Sequence, residues 1–499
     1  MTQRKGWDDI PMSVVKKVIE YIKSPLLHIF NKSFLTGIFP SSLKIAKMIP
    51  IYKKGCKKTF GNYRPISILP ALSKIIERAV YNRLESFFQE NNIISEFQNG
   101  FVRGKSTTTA ALSLTDHILE SFDNSKFAIA VLLDFSKAFE TVNHSILIKK
   151  LEYYGVRNKS INWIKSYLKN RKHFVKYNEH ISPFATTNIS IPQGSILGPL
   201  LFNVYINDLS KSANNLNTVL FADDSCFYCA GNSLVDLFDL VNTDLRRVFD
   251  WVNANKLTIN FTKSHYIVFN NHKKLPLNLP QLRVHNHNLL KVEETCFLGL
   301  IIDNALSWKN QIENTISKLN KYRGILYRTR HNLTMHSMKL IYFSLIYSAL
   351  VYSNPIWGNT FKTRLHRLFV AQKNVIRTMC NQSRYSHTNE LFKKLELLKL
   401  EDINKYFANI FTYRSINRLS YPFDYFTFVN QIHNVNLRNA QDIRPPQVRN
   451  SRKRKFSPSF YCADMWNSLP PYLKLKPTLA SFKSGLKNFL LSQYQEIID

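Results

Sequence analysis

An apolar run that ends on an acid constrains this chain most. Phe127 to Leu133 is apolar throughout and rich in branched residues, and Asp134 follows at once. Such a run predicts a strand buried on both faces. A second apolar stretch, Val219 to Tyr228, is broken only at Ala222-Asp223-Asp224-Ser225. That pattern predicts two strands joined by a tight turn at the acids. Between the two lies Pro192-Gln193-Gly194-Ser195, ahead of Pro199. Proline suits the first turn of a helix, here predicted through Leu209 with Leu200, Leu201, Val204 and Tyr205 as its apolar stripe. The fold must therefore place acids at two strand ends with a glycine turn between them.

Carboxylates brought within a few ångströms repel each other, so one takes a proton or a cation sits between them. Mg²⁺ suits such a site, because it is hard and accepts one or two carboxylates plus phosphate oxygens. Two such ions can clamp an in-line displacement at phosphorus. A capping or turn-forming role accounts for one isolated Asp, but less well for Asp134, Asp223 and Asp224 together. Gly194 would let a ligand approach the backbone closely.

Two other motifs carry less. Gly100-Phe-Val-Arg-Gly104-Lys105-Ser106 looks like a phosphate loop but has three residues between its glycines where that loop needs four. A basic loop touching a backbone phosphate fits it better than an ATPase. Cys226-Phe-Tyr-Cys229 has zinc-ligand spacing without a second pair, so strand packing is expected.

The chain holds 68 Lys plus Arg against 34 Asp plus Glu, a net charge of +34, which points to a polyanionic partner, nucleic acid first. Its opening, Thr2 to Asp9, is polar and unlike a secretory leader. The six scattered cysteines suit a reducing compartment. The longest apolar stretch, Leu340 to Tyr352, is shorter than the about 20 residues that span a bilayer, so a buried helix is expected and no membrane partner.

Ser73 to Phe88 predicts an amphipathic helix, with Ile76, Val80, Leu84 and Phe87 at helical spacing. Breaks fall at His272–Pro280 and Asn430–Pro458, the second read as a linker. Phe297 to Ile302 predicts one short strand, Trp308 to Cys380 a basic helical region, and Leu479 to Leu490 a closing helix. Arg449 and Arg452-Lys-Arg-Lys455 form a basic patch suited to RNA binding or nuclear import.

Further blocks complete the pattern: Lys44 to Gly55, Asn62-Tyr-Arg-Pro-Ile-Ser67, Gln98 to Thr107, Asn255 to Lys263, Phe297 to Asp303, Ile356-Trp357-Gly358 and Trp466-Asn-Ser-Leu-Pro470. With the three stretches above, they resemble the reverse transcriptase of non-LTR, LINE-type retrotransposons of the Jockey-like kind, from about residue 6 nearly to the end.

The resemblance implies an α+β right-hand polymerase fold. Its parts would be an N-terminal extension (1–40), fingers (41–125), an antiparallel palm sheet backed by helices and carrying some fingers elements (126–303), a helical thumb (304–385) and a C-terminal basic region with a small helical part (386–499). It implies RNA-directed DNA polymerase activity. Asp134 and Asp223 would be the principal metal ligands, with Asp224 accessory, for two Mg²⁺ ions or Mn²⁺ as a substitute. Arg64 and Lys53 would hold the triphosphate. Phe139 would bar a ribonucleotide's 2′-hydroxyl, and Phe135 of the same block would belong to the nucleotide-binding set. Gln193 and Gly194 would lie beside template base and nucleotide, and Lys263 would protonate leaving pyrophosphate.

Lys318, Lys321, Arg323, Arg328 and Arg330 are the expected thumb contacts to nucleic acid. The implied partners are an RNA template, a DNA primer or target, deoxynucleotides, and an endonuclease domain absent from this chain. The expected location is nucleus or cytoplasm. Two positions depart from the family, where acids usually stand: Glu140 for the shorter Asp and Asn143 for Asp. They motivate a rival reading as a decayed or co-opted RNA-binding remnant. A second rival, an intron-type maturase, is disfavoured by the Trp466 block.

Overall fold

The run Phe127–Leu133 forms the middle strand of a five-stranded sheet in a computed structural model of the chain. The structure describes residues 5–494 apart from 54, 272–274, 277, 423–424, 432–441 and 451. Parts of the breaks expected at 272–280 and 430–458, and residues 2–4 of the polar opening, lie outside the described residues. The strand order is Leu290–Val292, His265–Phe269, Phe127–Leu133, Asp224–Gly231, Asn217–Phe221. Pairing is antiparallel except at the edge, where Leu290–Val292 runs parallel to His265–Phe269.

Alternate residues of the middle strand enter two different cores, as the period of two demands. Ile129, Val131 and Leu133 pack with Leu201 and Val204 of the helix Gly198–Ile206 and with Phe238, Val241 and Leu245 of the helix Leu234–Ala254. Ala128 and Ala130 face Ala110, Ala111, Leu114 and Ile118 of the helix Thr107–Asp123. Burial on both faces explains why the strand reads as unbroken apolar sequence. It also settles the cysteine pair. Cys226 joins one core and Cys229 the other, so their thiols face opposite sides of the sheet. Both are free, and burial pushes the Cys229 thiol up to about 12.

A second sheet lies beside the first. Ile45–Tyr52 pairs antiparallel with Tyr63–Ile68 and parallel with Arg171–Tyr177, which also pairs with His180–Ile181 and Ala185–Thr187. The helix expected over Ser73–Phe88 runs Ala71–Glu90. The helix expected from Pro199 to Leu209 runs Gly198–Ile206 and is followed by a 3-10 turn at Leu209–Ser212.

Three expectations are corrected. Phe297 to Ile302 is not one strand: Glu294–Phe297 and Leu300–Asp303 form a hairpin through Leu298 (φ 48°) and Gly299 (φ 83°), a left-handed pair that tight hairpins favour. Leu340 to Tyr352 is helical, with a π-helical segment at Tyr342–Tyr347, but buries one face only. Tyr342, Ile346 and Leu350 are inside, while Leu340 is 58% and Phe343 43% exposed.

Third, two residues of the basic run, Lys453 and Arg454, are not surface charges, whereas Lys455 is exposed. Lys453 and Arg454 are each 9% exposed. Arg454 Nη1 pairs with Asp116 Oδ1 at 3.0 Å, and Lys453 Nζ donates to the Ala305 carbonyl at 2.8 Å. Asp116 is half-buried, burial raises its carboxyl, and the Arg454 charge acts against that cost.

Helices Lys309–Thr329, Lys362–Met379, Leu400–Ile416, Pro458–Asn467 and Leu479–Ser492 extend the core on the Ala128 side, with Trp308, Trp357, Trp466 and Phe482 inside it. Among the described residues, no helix is long and apolar enough to cross a membrane.

Candidate active site

Strand register brings the acids together. Leu133 pairs with Ser225, and Phe221 with Asp224, so Asp134 emerges beside the turn that carries Asp223. The segment after the helix Leu234–Ala254 straps Asp134 in place. Ser136 N–H donates to the Thr258 carbonyl at 2.8 Å and Asn260 N–H to the Asp134 carbonyl at 2.8 Å. Asp134 N–H donates to Ser264 Oγ at 3.1 Å. The same strap delivers Lys263, whose Nζ lies 3.0 Å from Asp134 Oδ2.

Charge in this corner is unbalanced. Burial, then the Asp134 carboxylate, holds the Asp223 carboxyl above its ordinary value, against the pull of Arg64 and Lys53. Burial, then Asp223 and Asp134, pushes the Asp224 carboxyl up to about 6. Hard oxygen donors whose ionised forms repel are the donor set that a Mg²⁺ ion relieves. No three His, Cys, Asp or Glu side chains among the described residues converge to enclose an ion. An open site completed by substrate phosphates fits that arrangement.

One cleft of about 1150 Å³ is lined by Asp134, Asp223, Asp224 and Lys263 on one side and by Lys53 and Arg64 on another, with Phe135, Phe139 and Gln193. All the expected catalytic and nucleotide-binding residues except Gly194 therefore meet there. Gly194 is adjacent, with φ 116°, and a Cβ would stand 2.5 Å from the Ser67 carbonyl oxygen, so only glycine fits. Ser67 N–H donates to the Gln193 carbonyl at 2.8 Å and ties the turn to the second sheet. Phe139 stacks on Phe202 at 4.3 Å. The Phe135 ring is core, 3% exposed, and the residue bridges to Ile259. Lys57, Lys58 and Lys137 also line the cleft. The lysine-rich sequence around Cys56 was the available signal for the first two.

The five thumb residues do not share one surface. They lie on or just after the helix Lys309–Thr329. Lys321 and Arg328 follow one face, whereas Arg323 and Arg330 line a separate pocket with Arg377 and Arg384.

The glycine loop at Gly100 serves the catalytic turn. Lys105 turns inward: its Nζ donates to the Glu96 carbonyl and lies 4.5 Å from the Tyr421 ring centre, and burial lowers it to about 8. The Gln98 side-chain oxygen accepts from Gly100 N–H at 2.8 Å and from Ala222 N–H at 3.1 Å. Ala222 is in the left-handed region, φ 54°, which an alanine disfavours. Gln98 thus holds the strained residue that precedes Asp223. Nothing in composition or periodicity marks Gln98 for this.

The two departures are accommodated. Asn143 Oδ1 accepts from Ile146 N–H at 3.1 Å and caps the helix His144–Tyr153, a role Asn fills as well as Asp. Glu140 lies at the cleft edge, its Oε1 3.5 Å from Gln193 Nε2.

The family described as "Reverse transcriptase (RNA-dependent DNA polymerase)" matches residues 51–302. The chain is 28% identical over 392 residues to the probable RNA-directed DNA polymerase from transposon BS of Drosophila melanogaster, covering 75% of this chain and 42% of that one. It is 25% identical over 392 residues to the RNA-directed DNA polymerase from mobile element jockey of Drosophila funebris, covering 76% and 42%. The chain thus spans about two-fifths of the length of these relatives. Among solved structures, apo telomerase from Candida tropicalis aligns with a TM-score of 0.38 at 12% identity, over 77% of this chain and 67% of that one.

Proposed function

Because the chain belongs to the reverse transcriptase family, we propose that it is the RNA-directed DNA polymerase of a LINE-type retrotransposon. In this reading a DNA primer's 3′-hydroxyl attacks the α-phosphorus of a deoxynucleotide paired to an RNA template. The new P–O bond forms as the bond to pyrophosphate breaks. The primer in this reading is a nicked chromosomal end.

The family depends on divalent metal. Mg²⁺, or Mn²⁺ in its place, held by Asp134 and Asp223 with Asp224, would supply the Lewis acidity that lowers the hydroxyl's pKa and offsets phosphate charge. Arg64 and Lys53 face the acids across the cleft and would bind the triphosphate, where a guanidinium's planar donor fork suits phosphate oxygens. Lys263 would leave Asp134 and donate its proton to pyrophosphate. Phe139, backed by Phe202, would exclude a 2′-hydroxyl.

The observation that carries the reading is the meeting of Asp134 with the Asp223–Asp224 turn in a cleft whose other wall is basic. The decayed-remnant reading gains no support, because Asn143 keeps its cap and Glu140 displaces no expected metal ligand. Primer extension on an RNA template with Mg²⁺ tests the proposal, with Asp223→Ala as control. Extension by the wild type alone supports it. Equal signal from both proteins, or none from the wild type, would overturn it.

A further inference from the structure

A carboxylate with no solvent access lies behind the Gln193–Gly194 turn. Glu77, in the helix Ala71–Glu90, is 0% exposed. Glu77 Oε2 accepts from Ile196 N–H at 2.8 Å, three residues past Gln193. Oε1 accepts from Ser73 Oγ at 2.8 Å, one helical turn earlier. The balancing charge is Arg171, 5% exposed, at the start of the strand Arg171–Tyr177. Arg171 Nη1 donates to the Tyr167 carbonyl at 3.0 Å, and the guanidinium lies 4.8 Å from the Tyr167 ring centre.

A buried carboxylate is costly unless its oxygens and its charge are satisfied. Burial holds the Glu77 carboxyl above its ordinary value, and Ser73, Ile196 N–H and Arg171 act against that cost. An apolar residue would fill the space more cheaply, so the carboxylate calls for a reason. What its hydrogen bonds do in this fold is join the helix Ala71–Glu90 to the turn that carries Gln193, while Arg171 of the strand Arg171–Tyr177 supplies counter-charge through space. The turn's other anchors are local or lie on the cleft side. Ser195 Oγ donates to the Pro192 carbonyl and accepts from Gly198 N–H, both inside the loop. Ser67 N–H holds the Gln193 carbonyl from the cleft side. Glu77 is the ionic anchor on the far side.

We propose that Glu77 is a positioning residue for nucleotide selection, which through Ile196 fixes the height of the Gln193–Gly194 turn against the incoming nucleotide. This rests on the polymerase reading above. Glu77→Ala leaves Ile196 N–H without its acceptor and lets the turn drift. Glu77→Gln keeps an acceptor at nearly the same point, because the Ser73 hydroxyl can reverse its hydrogen bond.

The test is steady-state single-nucleotide incorporation on an RNA template with active-site-titrated enzyme. Hydrogen exchange of the peptide containing Ile196 accompanies it. Glu77→Ala should raise KM for the deoxynucleotide roughly tenfold, with a smaller change in kcat. It should also speed exchange at Ile196. Glu77→Gln should stay within about threefold of wild type. If Glu77→Ala does not fold, Ser73→Ala keeps the charge, removes its orienting donor, and should move KM the same way by a smaller factor. Unchanged KM and unchanged exchange in the folded variants, or a Glu77→Gln as impaired as Glu77→Ala, would overturn the proposal. An inactive wild type would instead sink the polymerase reading, and the exchange result would still decide whether Glu77 anchors the turn.

Discussion

Gly100→Ala should cripple nucleotidyl transfer without touching a carboxylate or the cleft. A Cβ at residue 100 would stand 2.3 Å from Ala222 N and 2.9 Å from Phe221 C, both backbone atoms that cannot rotate away. Opening the nearer contact to even 3.0 Å, the tightest that real Cβ atoms show, moves one backbone by about 0.7 Å. The glycine loop is pinned by Gln98, by Asn203 Nδ2 donating to the Gly100 carbonyl at 2.8 Å, and by Asn99 N–H donating to the Leu220 carbonyl at 2.7 Å. Gln98 and Asn99 tie the loop to this same hairpin, so a displacement at the Gly100–Ala222 contact is passed to the turn and Asp223 is carried with it. Active sites tolerate misplacements of about 0.5 Å, and a shift near 1 Å costs roughly 10²-fold in rate. Single-turnover incorporation at saturating Mg²⁺ should therefore fall about 10²-fold. Overpacking should cost about 1–3 kcal/mol of stability, visible as a lowered melting temperature in a protein that still folds. Wild-type incorporation by folded Gly100→Ala would refute the claim that this loop sets the position of Asp223.

Three more outcomes are expected. Phe139→Ala should gain ribonucleotide incorporation, read as a rise of about tenfold or more in kcat/KM for the ribonucleotide relative to the deoxynucleotide, and no gain would remove Phe139 as the gate. Asp224 is raised to about 6 in the fold, above its unfolded value, so its ionisation disfavours the metal-free fold above that pH, and the penalty fades as pH falls through 6. In EDTA, Asp224→Asn should melt higher than wild type near about pH 7.5, where the penalty is full, and lack the fall in stability that wild type shows as pH rises from about 4 to 6, whereas parallel profiles would contradict the carboxylate crowding. Asp116→Ala should strand Arg454 in the interior and lower stability by about 3–5 kcal/mol, and a loss under about 1 kcal/mol in denaturant titration would show that the basic run does not depend on that pair.

The strand before Asp134 was legible because both its faces are buried, which leaves a run that no helix pattern explains. The Asp223 turn was legible because two acids interrupt an otherwise apolar hairpin. The roles of Arg64, Lys53, Phe139 and Gln193 came only with the family resemblance, since periodicity says nothing about a cleft formed by separate elements. The misses share one cause: contacts across the sequence changed what a residue type usually means. Lys453 and Arg454 read as surface charge until Asp116 and Ala305 meet them inside. The helical periodicity over Ser73–Phe88 marks only its apolar stripe and is silent on Glu77, whose partner Ile196 lies far along the chain. Gly100 reads as part of a defective phosphate loop, when its missing side chain makes room for Ala222. Leu298-Gly299 hides a turn inside an apolar run because leucine here takes a left-handed conformation that composition does not forecast.

In the proposed reaction Asp134 and Asp223 jointly serve metal-dependent nucleotidyl transfer on an RNA template. The most direct test of that role is single-turnover incorporation of one deoxynucleotide, titrated with Mg²⁺, for wild type, Asp134→Asn and Asp223→Asn, beside their affinities for the same primer–template. Loss of several kcal/mol of charge stabilisation predicts that each variant falls by about 10³-fold or more in rate while binding the primer–template within about threefold of wild type. A variant that keeps the wild-type rate and Mg²⁺ dependence would contradict the account.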